Sequence, residues 1–146
     1  MEAVTISSLF GPGRQGFLDG AINWSATPVV KAALVRGYTF NSAHQFVSEV
    51  TGAGGTLVST SGALTKSSAL GVADATDVVF STVTAGAAIP AVIIFQASAV
   101  TGGADVAQSA QRLICHIDTA TGLPVTPNGQ NITVAFDNGA NKIFML

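Results

Sequence analysis

Charge is scarce in this chain: six lysines and arginines and eight aspartates and glutamates make up 10% of its 146 residues, against about 25% in an average globular domain. The net charge of −2 and the scatter of the basic residues, Arg14, Lys31, Arg36, Lys66, Arg112 and Lys142, exclude the clustered cations that neutralising several phosphates at once requires. No nucleic-acid partner is expected. Cysteine is nearly absent too. Cys115 is alone, so an intrachain disulfide is impossible, and assembly in a reducing cytoplasm is the expectation.

Catalytic and metal-binding side chains are equally few. His44 and His116 are the only histidines, and neither has cysteines or carboxylates beside it at metal-ligand spacing. Cys115 and His116 fall on one strand, where alternation sends them to opposite faces, so they do not form a local nucleophile pair. Asp74 and Asp77 precede a strand, as turn carboxylates that bond backbone amides do. The turn at residues 52–55 lacks the lysine and the following helix of a phosphate loop. The sequence therefore predicts no catalytic residue, no metal and no cofactor, and the chain is not expected to be an enzyme. One tryptophan and one tyrosine, Trp24 and Tyr38, are also too few for the aromatic platforms of a glycan binder.

A long hydrophobic span is missing as well. Residues 78–104 carry no charge, but the longest apolar run inside them, 85–95, is interrupted by Pro90 and is shorter than the roughly 20 residues of a spanning helix. No membrane partner is expected. At the start, Met1-Glu2-Ala3 puts an acid where a signal peptide carries basic residues, so no secretion signal is expected.

What the chain does have is β pattern. Hydrophobic residues are 48%, and a chain of this size is long enough for one real core, burying about 68–70% of its unfolded surface. With so little charge to keep apolar patches apart, part of the surface is expected to be covered by other subunits. Short strands are predicted at 27–36, 57–60, 63–70, 78–83, 91–97, 112–117, 132–136 and 142–146, with Gly-rich or Pro-rich turns between them. Ala91-Val92-Ile93-Ile94-Phe95 reads as a strand buried on both faces. Asn138-Gly139 suits a type I′ turn and predicts that the last two strands form a hairpin. A helix is predicted at 42–50, with Ser42 as its N-cap and Ala43, Phe46, Val47 and Val50 at helical spacing. The architecture expected is an all-β antiparallel sandwich of the jelly-roll kind, with at most one short helix.

Residues 1–24 are expected to form an extended N-terminal arm ahead of a single domain at 25–146. Four glycines and Pro12 interrupt regular structure in the stretch 10–24, while Phe10, Phe17, Leu18, Ile22 and Trp24 remain apolar. Together with Arg14, and with Phe144 and Leu146 at the apolar C-terminal end, these are the candidate contacts to a shell or to another subunit.

The final 29 residues carry the most specific signal. Asp118-Thr-Ala-Thr-Gly-Leu-Pro-Val-Thr-Pro-Asn-Gly129, then Ile132-Thr-Val134, Asp137-Asn-Gly139 and the terminal Asn141-Lys-Ile-Phe144, resemble a family of small virion proteins of tailed bacteriophages. That family shows a close variant of "DTATGLPVTPNG", then "ITV.WDNG" and a terminal "N.IF.L", in the same order. Phe136 stands where relatives carry tryptophan, an aromatic exchange that alters volume rather than role. A looser match runs back to about residue 24, with Thr51-Gly-Ala-Gly-Gly-Thr-Leu57 in place of "GTGYTAGG.L" and without its tyrosine. The resemblance implies a structural protein of the particle, made in the bacterial cytoplasm and residing on the virion. Its most natural role is a decoration or cement protein, with the major capsid protein and further copies of itself, as dimer or trimer, for partners. A tail or connector protein is the first alternative, and a carbohydrate-binding or receptor-binding module the second.

Overall fold

The middle of the stretch without charge, residues 91–98, becomes the centre of the molecule. The computed structural model describes residues 8–25, 27–139 and 142–146. Along them run β1 (Ser8–Leu9), α1 (Gly11–Leu18), β2 (Val29–Arg36), α2 (Val47–Gly52), β3 (Thr56–Thr60), β4 (Lys66–Ala69), β5 (Val72–Ala75), β6 (Val78–Phe80), β7 (Ala91–Ser98), β8 (Arg112–Ile117), β9 (Ile132–Val134) and β10 (Phe144–Met145). All pairings between them are antiparallel, in a main sheet of order β1-β8-β7-β2-β3 and smaller sheets β10-β5-β4 and β6-β9. This is the antiparallel sandwich that the sequence predicts.

β7 is buried along its whole length, because β2 and β8 take its hydrogen bonds on both edges and side chains cover both its faces. On one face Val30, Ala32, Leu34, Val92 and Ile94 pack with Phe80, Val134 and Phe144 from the smaller sheets and with Phe136 just after β9. On the other, Ala33, Val35, Ile93 and Phe95 pack with Phe10, Tyr38, Val47 and Val50. Burying each large side chain here contributes about 1.5–3 kcal/mol, before the entropy of ordering the chain is subtracted.

Four expectations need correction. First, residues 8–24 are not an extended arm: Phe10 lies in the core with its amide bonded to the Ile114 carbonyl at 3.1 Å, and α1 follows directly. Among the described residues two short helices are therefore present instead of one. Pro12 sits in the first turn of α1, where its missing amide costs nothing, and the glycines of this stretch permit close approach. A Cβ on Gly13 would lie 2.6 Å from the Leu113 carbonyl, and one on Gly16 would lie 2.8 Å from Ile22 Cδ1. Residues 1–7 of the expected arm fall outside the described residues.

Second, the helix near residue 42 begins five residues later. The Ser42 carbonyl accepts the Gly11 amide at 2.8 Å and Asn41 Oδ1 accepts the Ala43 amide at 3.0 Å, which holds 41–44 as a turn. Glu49 reaches back from α2 to accept the amides of Gln45 and Phe46. Third, the strand predicted at 63–70 is half of a hairpin, β4 and β5, whose two-residue turn is Leu70-Gly71, at φ of 52° and 80°, as a type I′ turn requires. Fourth, Asn138-Gly139 does not join a hairpin: β9 pairs with β6 and β10 with β5, in different sheets. Among the described residues, no helix is long and apolar enough to cross a membrane.

Candidate functional site

Two segments far apart in sequence, 10–24 and 144–146, meet at one end of the molecule. β10 is held to β5 by the register Phe144↔Ala73 and Met145↔Val72, and the Leu146 amide donates to the Gly71 carbonyl at 3.0 Å. Alternation along β10 turns Phe144 inward and Met145 outward. Inside, the Phe144 ring lies edge-on to Trp24, with centroids 5.0 Å apart at 82°, and 5.6 Å from Phe17. The Trp24 indole N–H donates to the Ser67 carbonyl at 2.8 Å, so this buried polar group is satisfied and also ties the N-terminal segment to β4.

Outside, Arg14, Phe17, Leu18, Met145 and Leu146 line a shallow groove of about 290 Å³. Leu18 is 83% exposed, Met145 53% and Leu146 62%, and Leu70, at the turn beside Leu146, is fully exposed. Most of the large exposed apolar side chains of the described residues thus gather at this end. Arg14 forms no ion pair among the described residues; the two ion pairs present there are Lys31–Asp105 and Lys142–Asp74, each 2.9 Å. The surface offers apolar contact with the Arg14 guanidinium at its rim.

The eight candidate contact residues therefore divide. Phe10, Ile22, Trp24 and Phe144 are core residues of this chain and offer no surface. Phe17 is half-buried as the floor of the groove, and Arg14, Leu18 and Leu146 are exposed. Met145 and Leu70 belong to the patch but were not singled out from the sequence. The signal for Met145 was its alternation with Phe144; Leu70 gave none, because a leucine at positive φ is uncommon.

Elsewhere several titratable groups bond to and pack against one another within the fold. Tyr38 joins the two histidines: its hydroxyl lies 2.9 Å from His44 Nδ1, and its ring packs against His116 at 5.9 Å between centroids. Burial raises the Tyr38 pKa above its ordinary value. His116 has its pKa lowered by burial, with Asp118 acting in the opposite sense. Asp77 accepts the Phe136 amide at 3.0 Å. Among the described residues, no group of three or more His, Cys, Asp or Glu side chains is placed to hold a metal ion. No protein-family model, curated protein or solved structure matches the chain.

Proposed function

We propose that this chain is a structural subunit of a tailed-phage particle, a decoration protein that binds the outer surface of the expanded capsid and acts by occupancy, without catalysis. The observation that carries the reading is the closing phrase of residues 118–146 and its resemblance to small virion proteins. The apolar end supports it. A chain with this little charge leaves Leu18, Leu70, Met145 and Leu146 exposed near one another, and apolar side chains gathered in this way suit burial against other protein.

The mechanism is linkage. A protein that binds the assembled shell and not its separated subunits stabilises the shell by its binding free energy, about 2.7 kcal/mol per site at a free concentration one hundred times Kd. Binding needs no titratable group or metal. The carbohydrate-binding alternative is disfavoured by the burial of both Trp24 and Tyr38, which leaves no exposed indole or phenol to stack on a sugar.

The test is addition of the purified chain to expanded, empty heads made without it, followed by sedimentation, counting of bound copies and heating. Saturable binding at a fixed ratio to the major capsid protein, with rupture moved to higher temperature, is expected. Heads that bind nothing, with the protein recovered in purified tails, would overturn decoration in favour of a tail role.

A further inference from the structure

We infer that Asn138 is a self-modifying site, where the Gly139 nitrogen closes onto the asparagine side chain to form a succinimide, with the Asp137 carboxylate as proton acceptor. The inference stands on this loop alone and does not depend on the decoration reading. Asn138-Gly139 is one of two Asn-Gly pairs in the chain, the other being Asn128-Gly129. Glycine after asparagine hinders this chemistry least, because no Cβ obstructs the approach of the backbone nitrogen to the side-chain carbonyl.

The fold treats the two pairs differently. Both asparagines are exposed, so exposure does not separate them. At the first pair, the Gly129 amide donates to the Val83 carbonyl at 2.9 Å, and the Val83 amide donates to the Gln130 carbonyl at 3.0 Å. Asn128 Oδ1 accepts the Gln130 amide at 3.1 Å. Nucleophile and electrophile are each held by another partner, and bringing them together means breaking this clamp. At the second pair, the Asn138 side chain has no hydrogen bond among the described residues. The Gly139 amide donates to Asp137 Oδ1 at 3.0 Å, within the reach that a general base needs to the proton it takes. A Cβ on Gly139 would lie 2.8 Å from Asp137 Oδ2, so the glycine that clears the path also gives the carboxylate its seat. Asp137 Oδ2 is buried without a hydrogen-bond partner among the described residues, an arrangement that a purely structural role leaves unexplained.

In the step itself, the Gly139 nitrogen passes its proton to Asp137 and bonds to Asn138 Cγ. The Cγ–Nδ2 bond breaks, and Nδ2 leaves as ammonia with the proton that Asp137 returns. Solvent water then opens the ring at Cγ, giving aspartate, or at the Asn138 backbone carbonyl, giving isoaspartate. Either product adds a negative charge to the hollow that Asn138 lines with Asp74 and Asp77. Isoaspartate also adds a carbon to the backbone between β9 and β10.

The test is incubation of the purified full chain in mildly alkaline buffer, followed by peptide mass mapping that separates asparagine, aspartate and isoaspartate at each position. In the folded chain Asn138 should convert about tenfold faster than Asn128, the factor that the clamp's hydrogen bonds supply. In concentrated urea, where both the clamp and the seat of Asp137 are lost, the two should convert at nearly equal rates. Asp137→Ala, with dichroism confirming that the variant is folded, should slow conversion at Asn138 by about tenfold or more and leave Asn128 unchanged. A folded chain in which Asn138 stays intact, or converts no faster than Asn128, overturns the proposal without recourse to any variant. Conversion at Asn138 that is indifferent to Asp137→Ala overturns it as well.

Discussion

His116 is 3% exposed, its ring packed against Tyr38 and Phe40, and neither ring nitrogen has a partner among the described residues. Desolvation disfavours the charged imidazolium and holds the folded pKa below the ordinary 6.5. Below that value the unfolded chain binds a proton that the folded chain resists, so stability falls as pH falls toward the folded pKa. Denaturant midpoints measured from about pH 7.5 to 5.5 should therefore decline in the wild-type chain, and His116→Phe should remove most of that slope. An equal slope in both proteins would count against this account. Glu49 behaves in the familiar carboxylate sense. The Phe46 and Gln45 amides hold its pKa below the ordinary 4.5, so its stabilising effect is present above that value and is lost as pH falls through the folded pKa. Glu49→Gln should accordingly flatten the acid limb of the same curve, in a lower window than His116→Phe.

The elements separate into those legible in sequence and those that tertiary contact decides. β7 and β8 could be read because burial on both faces leaves a continuous apolar run, and Arg112–Ile117 has the expected bounds. α1 could not, since Gly13 and Gly16 look like helix breakers until Leu113 and Ile22 are seen packed against them. Gly13→Ala should cost about 1–3 kcal/mol in chemical denaturation, because the added carbon meets backbone. Gly16→Ala should cost less, because it meets the end of a side chain that can turn away. The β4–β5 hairpin was hidden by Leu70, which takes a positive φ that asparagine or glycine adopts with less strain. Leu70→Asn is expected to raise stability by about 0.5–1 kcal/mol, read as a higher Tm. The last two strands were misjoined because Asn138-Gly139 is a good local hairpin signal, and only the long-range partners of β9 and β10 show otherwise. Half of the candidate contact set failed for a related reason. Periodicity marks an apolar side chain as needing cover, but it does not say whether the cover comes from its own chain or another.

Across the whole molecule, stability is graded from the middle outward. β7 opens only if β2 and β8 separate from it, whereas β10 is two residues long and is held on one edge by β5. Native-state hydrogen exchange should place the β7 amides at the global unfolding free energy and those of β10 well below it. Equal protection in the two would contradict a graded sandwich. The joint between the chain's two ends has a further use. The sole tryptophan, Trp24, is 8% exposed, edge-on to Phe144 and bonded through its indole N–H to Ser67. Its fluorescence is therefore an intrinsic optical gauge of that joint. A red shift in emission that runs ahead of the loss of far-ultraviolet dichroism would time the release of the last strand before the sheet melts, with no label attached.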